Sequence, residues 1–247
     1  MRISTLILLL CIAIGFVFLS ALGFWQVQRL AWKEALIARV EANRNSEPLP
    51  FDAMAERLQA GQDIEYRPVR VAGSFLHEYE AHFFVTQNGR PGYHVYTPLR
   101  RDNGQIVIVN RGFVPIEMKE VSKRSAGQIT GRQEITGLAR TAPAEKPNSF
   151  VPNNDLAKNI YYWKSLNQML SQMPEKGGNA ARFFVDAGPA PVPGGLPQGG
   201  ATRISFPNSH LQYAATWFGL ALTLLGVGGF FLRARAKAYK DKQLQSA

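Results

Sequence analysis

Few side chains in this chain can do chemistry, and their spacing narrows what that chemistry is. The histidines are His77, His82, His94 and His210, and the single cysteine is Cys11. His77 and His82 are five apart, so on one continuous strand they face opposite sides and make no joint metal site. His94 sits in a strand between Tyr93 and Tyr96, where a structural or surface role is expected. One cysteine allows neither a disulfide nor a two-thiolate copper site. There is no Gly-x-Ser-x-Gly, no His-Glu-x-x-His and no phosphate-cradling glycine loop with lysine. No catalytic residues are assigned, and a non-enzymatic role is expected. His210 is different, because it opens a long apolar run. An ionisable side chain at the edge of a membrane span is a functional candidate by default. Imidazole is a frequent axial ligand of haem iron. Tyr213, Ala214, Trp217 and Ala221 share its helical face and could accept a flat apolar macrocycle. The alternative is a belt histidine that hydrogen-bonds only headgroups or protein. On physics alone that alternative is favoured, because the interface is the cheapest depth for a polar group.

The elements that must position His210 are two apolar runs. Residues Ile3 to Phe24 carry no charge, and neither do Leu211 to Leu232. At about 1.5 Å rise per residue, each covers a hydrocarbon core of about 30 Å. Ala21-Leu22-Gly23 offers small residues to a signal peptidase. Against cleavage, the first run exceeds the roughly 7–15-residue core of a signal peptide and its basic leader is only Arg2, so an uncleaved anchor is expected. No Arg- and Ser-rich transit peptide precedes it, which points to a bacterial membrane. Mean hydropathy over the whole chain is slightly negative, so the middle must be polar and water-soluble.

Charge sets the topology. The tail holds Arg233, Arg235, Lys237, Lys240 and Lys242 within ten positions. By the positive-inside rule the tail is cytoplasmic, and two spans bring the N-terminus to the same side. Arg2 and the tail account for half of the formal +10. The remainder is weak evidence for any acidic partner, and nucleic-acid binding is not expected on an exported face.

Along the chain, the first helix continues to about Asn43, with Trp25 and Trp32 one heptad apart as an interfacial belt. Pro48 and Pro50 stop it. A short helix over Asp52–Gln59 follows, capped by Asp52. Strands are expected at 67–75, 81–87, 93–101, 105–114, 133–140 and 182–186, with a last one at Thr202–Phe206. Asp102-Asn103-Gly104 is the strongest hairpin signal. Residues 154–173 read as partly helical, and 188–200 as a Pro/Gly loop. Ser209 and Gln212 fit a capping box for the second span. Ala215, Gly219, Gly226, Gly228 and Gly229 would let another helix approach closely.

Six stretches together carry a family resemblance. They are Leu22-Gly-Phe-Trp-Gln-Val-Gln-Arg-Leu-Ala-Trp-Lys33, Tyr66-Arg-Pro-Val-Arg-Val-Ala-Gly-Ser-Phe75, Pro91-Gly-Tyr-His-Val-Tyr-Thr-Pro-Leu99, Val109-Asn-Arg-Gly-Phe-Val-Pro115, Asn159-Ile-Tyr-Tyr-Trp163 and Pro207-Asn-Ser-His-Leu-Gln-Tyr-Ala-Ala-Thr-Trp-Phe-Gly219. In these blocks the chain resembles the surfeit-locus-1 family of cytochrome oxidase assembly proteins, in the family's order and over nearly its whole length. The resemblance implies a role in building haem-copper oxidases, with haem a bound and helped toward the catalytic subunit. It also implies that His210 is the haem ligand, since bacterial members are implicated through the histidine that opens the second span. The family usually has Asn-Asn-His where this chain has Asn208-Ser209-His210, and serine can still cap the helix. Gly73, Tyr93, Arg111 and Gly112 match family motifs and are read as structural: Gly73 for close backbone approach or a bulge, Arg111 for an ion pair or a surface role.

The expectation is therefore an α+β membrane protein, with two transmembrane helices flanking a mostly antiparallel β-domain with short helices. Its divisions are span 3–24, periplasmic domain 25–209, span 210–232 and basic cytoplasmic tail 233–247. His210 would hold haem a at the outer edge of the bacterial cytoplasmic membrane, with Tyr213 and Trp217 flanking the ring. The partners would be the oxidase catalytic subunit, haem a synthase and the lipid bilayer. Two rivals are a cofactor-free scaffold that stabilises the oxidase subunit and a membrane-tethered enzyme, which has no motif in its support.

Overall fold

A computed structural model of the chain describes residues 3–174, 178–200 and 206–245. It divides into two compact units, 1–39 with 205–247 and 40–204.

The first unit is built from two long helices. Helix α1 runs Ile3–Arg44 without a proline, as the sequence pattern predicts, and α4 runs His210–Gln245. Both are long and apolar enough to span a bilayer, and only 6% and 11% of their most apolar windows are buried by protein. Ile7, Leu10, Ile14, Val17 and Phe18 of α1 face outward. A helix with an apolar exterior needs an apolar solvent, because the core helix of a water-soluble protein would bury these side chains. The two helices meet along small residues: a Cβ on Gly23 would sit 2.7 Å from the Phe218 ring, and one on Gly228 would sit 2.6 Å from Ile12. Ala214 and Ala221 are buried on the same α4 face. Of the glycines on α4, Gly228 meets α1, while Gly219, Gly226 and Gly229 face open space.

The second unit is a small closed β-barrel. Its strands are β1 (Leu49–Pro50), β2 (Pro68–Phe75), β3 (Ala81–Gln87), β4 (Arg90–Arg100), β5 (Ile106–Pro115), β6 (Arg132–Thr141), β7 (Ile160–Tyr161) and β8 (Ala180–Ala187). The order is β1-β2-β6-β8-β5-β4-β3-β7, and an extra β2–β4 pairing closes β2, β6, β8, β5 and β4 on themselves. Five pairings are antiparallel; β1–β2, β3–β7 and β5–β8 are parallel. The turn Asp102-Asn103-Gly104 forms as expected: the Gly104 N–H donates to the Arg101 carbonyl at 2.9 Å, and Asn103 Oδ1 accepts from the Gln105 N–H.

Alternation decides which side chains fill the barrel. Val69, Val71, Leu99, Val107, Val109, Phe183 and Val185 point inward. Phe51 and Met54 from the short helix α2 (Phe51–Gln59) close one end, with Phe51 stacked on Phe183 at 5.0 Å. The intervening residues Tyr96, Ile108 and Phe184 point outward and are covered by Met169 and Leu170 of helix α3 (Leu166–Ser171). Each such apolar side chain stabilises the fold by about 1.5–3 kcal/mol when taken from water. Closure depends on Gly73, beside the Ser74–Arg100 pairing: a Cβ there would lie 2.3 Å from the Arg100 carbonyl oxygen. This is the close approach that a strand glycine signals.

Two details differ from expectation, and a third expected element is largely outside the described residues. Asp52 does not cap α2; Pro50 holds that position, and Asp52 pairs instead with Arg101 at 2.8 Å. The two-residue strands β1 and β7 are too short to carry a period. The strand expected at Thr202–Phe206 lies outside the described residues except for Phe206, which is not in a strand.

Candidate functional site

His210 is the first residue of α4 and is half-buried. Asn208 starts the helix, its Oδ1 accepting from the His210 backbone N–H at 3.4 Å, and Ser209 contributes its carbonyl to the Tyr213 N–H at 3.1 Å. The expected capping box is therefore replaced by an Asn208 turn, which uses the side-chain oxygen one residue earlier. From α1, Gln26 reaches the imidazole, with Oε1 2.7 Å from Nδ1. Gln26 is 9% exposed, whereas its neighbours Trp25 and Val27 stand open at 55% and 43%. A carboxamide oxygen can only accept, so in this contact the ring hydrogen lies on Nδ1. Among the described residues Nε2 makes no hydrogen bond.

The other expected site residues lie on successive turns of the same helix. Trp217 is half-buried, while Tyr213 is 53% exposed and its neighbour Ala214 is buried. Phe218 packs edge-on to Phe24 of α1 at 5.3 Å. The chemistry of this set fits a haem: one imidazole whose Nε2 makes no hydrogen bond among the described residues, beside aromatic surface, at the end of an apolar span. Trp25 and Trp32 are half-exposed on α1, and Arg29 lies 3.9 Å above the Trp32 ring.

The barrel unit holds a second concentration of polar groups, which sequence reasoning missed. Glu80, only 2% exposed in its side chain, receives Arg124 at 2.6 Å and Arg111 at 3.1 Å. Arg111 also donates to the Gly127 carbonyl, and Arg124 to the carbonyls of Met118 and Lys119. His77 and His82 converge here too. His77 lies in a 3-10 turn (His77–Tyr79) ahead of β3, so the two are not on one strand, and the opposite-face argument does not hold. His77 Nε2 donates to the Ile129 carbonyl at 2.9 Å, and His82 Nε2 accepts from Arg124 at 3.3 Å. No group of three metal-ligating side chains forms among the described residues.

Burial pushes the Glu80 carboxyl up, but hydrogen bonds from His77 and Arg124 and the charges of Arg124 and Arg111 overcome it and hold the group at about 2. Burial pushes the Arg111 guanidinium down, and the Glu80 charge opposes that. Burial takes His82 to about 4, against the attraction of Glu80, so its ring is neutral at pH 7. Both guanidinium groups bond within the cluster, while the buried His82 Nδ1 has no hydrogen-bond partner among the described residues. The arrangement fastens the segment Val121–Gly127 to β3 and β5. The one hint in the sequence was Arg111, read there for an ion pair or a surface role; its partner Glu80 lies 31 positions before it. His94 is half-buried, bonds Gln87 Oε1 at 3.3 Å and is likewise held at about 4 by burial, which suits a structural role.

Two apolar, protein-unburied helices flanking a small closed barrel define a membrane protein of α+β architecture. The SURF1 family model matches residues 13–222. The chain is 36% identical over 217 residues to "Surfeit locus protein 1" of Xenopus tropicalis, covering 81% of this chain and 67% of the relative. It is 36% identical over 218 residues to the protein of the same name from Homo sapiens, covering 81% and 69%. It is 35% identical over 225 residues to a "SURF1-like protein" of Monosiga brevicollis, covering 86% and 82%. The chain belongs to the SURF1 family.

Proposed function

We propose that this protein is an assembly factor for a haem-copper cytochrome c oxidase that binds haem a and assists its delivery to, or retention in, the catalytic subunit. Family membership and the six sequence blocks support the oxidase as its client. The observation that carries the haem reading is His210, half-buried where α4 begins, with Nδ1 engaged by Gln26 and Nε2 unused. In this reading His210 would hold the haem through its imidazole, and Tyr213 and Trp217 would offer aromatic surface beside it. The bound haem supplies an iron centre for the client; this chain's residues bind and orient it and perform no bond-making chemistry of their own. The basic residues after the second span support cytoplasmic termini, a periplasmic barrel and placement in a bacterial cytoplasmic membrane. Haem a synthase is the partner that such a carrier would need on the supply side.

A cofactor-free scaffold is the second reading, favoured by one observation: the His210–Gln26 bond joins α4 to α1 and could serve only that purpose. The deciding experiment is an absorbance spectrum of the detergent-purified protein co-expressed with haem a synthesis. A haem a spectrum in the wild type that His210→Ala abolishes supports the carrier. No haem in either protein, with both folded and co-purifying with the oxidase subunit, establishes the scaffold.

A further inference from the structure

We infer that Gln26 is the positioning residue for His210, fixing the imidazole tautomer and ring orientation from the opposite helix. The inference rests on the haem reading above and assigns a role to a residue that reading does not use.

Three observations carry it. The contact is short and specific, 2.7 Å between side chains 184 positions apart. It involves the buried member of a Gln-Val-Gln triplet; Gln28, two positions on, is exposed. The amide oxygen of Gln26 faces the ring and can only accept, which puts the hydrogen of this contact on Nδ1. That leaves Nε2 as the only lone pair on the ring. An imidazole that binds a metal through one nitrogen ordinarily donates its other N–H to an oxygen, which sets the tautomer and raises the basicity of the ligating atom. Gln26 Oε1 occupies that place. Gly23, one turn before Gln26, lets the Phe218 ring lie against α1, so the helices are near enough for the bond to form. An amide in this apolar setting costs free energy unless it is paired, so Gln26 is held toward His210 as much as the reverse.

The test needs a readout that a merely structural glutamine would not move. In the metal-free protein, histidine-selective nitrogen NMR in detergent should show His210 as the Nδ1–H tautomer. Gln26→Leu, which keeps the bulk and removes the acceptor, should give a tautomer mixture. Finding the Nε2–H form in the wild type, or no change in Gln26→Leu, overturns the inference. Titration with haem a then reads the consequence: Gln26→Leu should bind about 10–100-fold more weakly. Gln26→Glu, which keeps an acceptor, should hold wild-type affinity, as should Gln28→Leu. If His210→Ala loses haem while Gln26→Leu binds as the wild type does, the haem reading stands and the positioning role fails. If the wild type itself binds no haem a, the reading and the inference fall together, whatever the tautomer.

Discussion

Removing the Glu80 charge should cost the barrel more than any other single polar change, and its size follows from the structure. Glu80→Gln keeps the shape but leaves Arg111 and Arg124 buried side by side with no counter-charge. At about 1.4 kcal/mol per pH unit, a carboxyl held at about 2 instead of 4.5 contributes about 3 kcal/mol to stability. Breaking one partner of a buried ion pair costs about 3–5 kcal/mol, which agrees. For a domain of this size each kcal/mol moves Tm by about 2–4 °C, so the variant should melt about 6–12 °C lower. The assay is thermal unfolding of the full chain in detergent, followed by circular dichroism. Hydrogen exchange of the amides in Val121–Gly127 reports locally, because Arg124 fastens that segment. The sign with pH is defined: the folded pKa is depressed, so the contribution is complete above 4.5 and is lost as pH falls toward 2. Wild type and Glu80→Gln should therefore converge in acid. Replacing Glu80, Arg111 and Arg124 together by leucine should recover much of the loss, since it removes the desolvated charges as well as the pairing. A Tm for Glu80→Gln within about 2 °C of wild type would mean under about 1 kcal/mol and would refute the reasoning.

Three further outcomes are expected. Gly73→Ala puts a Cβ against the Arg100 carbonyl at barrel closure, so it should lower stability by about 3 kcal/mol, the upper end for overpacking; denaturant unfolding checks it, and a neutral result contradicts the closure. His82 and His94 stay neutral in the fold down to about 4, whereas the unfolded chain takes protons near 6.5. Their contribution is complete above 6.5 and is lost as pH falls from there to 4, by at most about 3 kcal/mol each; urea midpoints across that range should show the slope, and His94→Gln should reduce it. Gly23→Leu should part α1 from α4 and lower thermal stability in detergent, while Gly219→Leu, which faces open space, should not.

What the sequence showed was set by local physics. The two spans, the extension of α1 to Arg44, the turn at Asn103-Gly104 and the six longer strands all follow from composition, period or turn chemistry within a few residues. What it hid depends on chain closure. The Ser74–Arg100 pairing that turns a sheet into a barrel leaves no mark except Gly73, and the parallel β5–β8 pairing joins strands more than 60 residues apart. Glu80, Arg111 and Arg124 look like ordinary surface charges until the fold buries them together. The opposite-face argument for His77 and His82 failed because a 3-10 turn interrupts the strand on which it depended. At the candidate site, His210 stood out by its place at a span edge. Gln26 did not, because a glutamine near the end of an apolar run gives no sign of a partner 184 positions away.

The most direct test of the central claim is the oxidase itself. In a strain lacking this protein, the haem a bound per catalytic subunit should be measured in membranes, with the gene restored as wild type or as His210→Ala. Haem a should be lost from the subunit in the deletion, and be restored by wild type and only poorly by His210→Ala. Full haem a content in the deletion strain would contradict that claim.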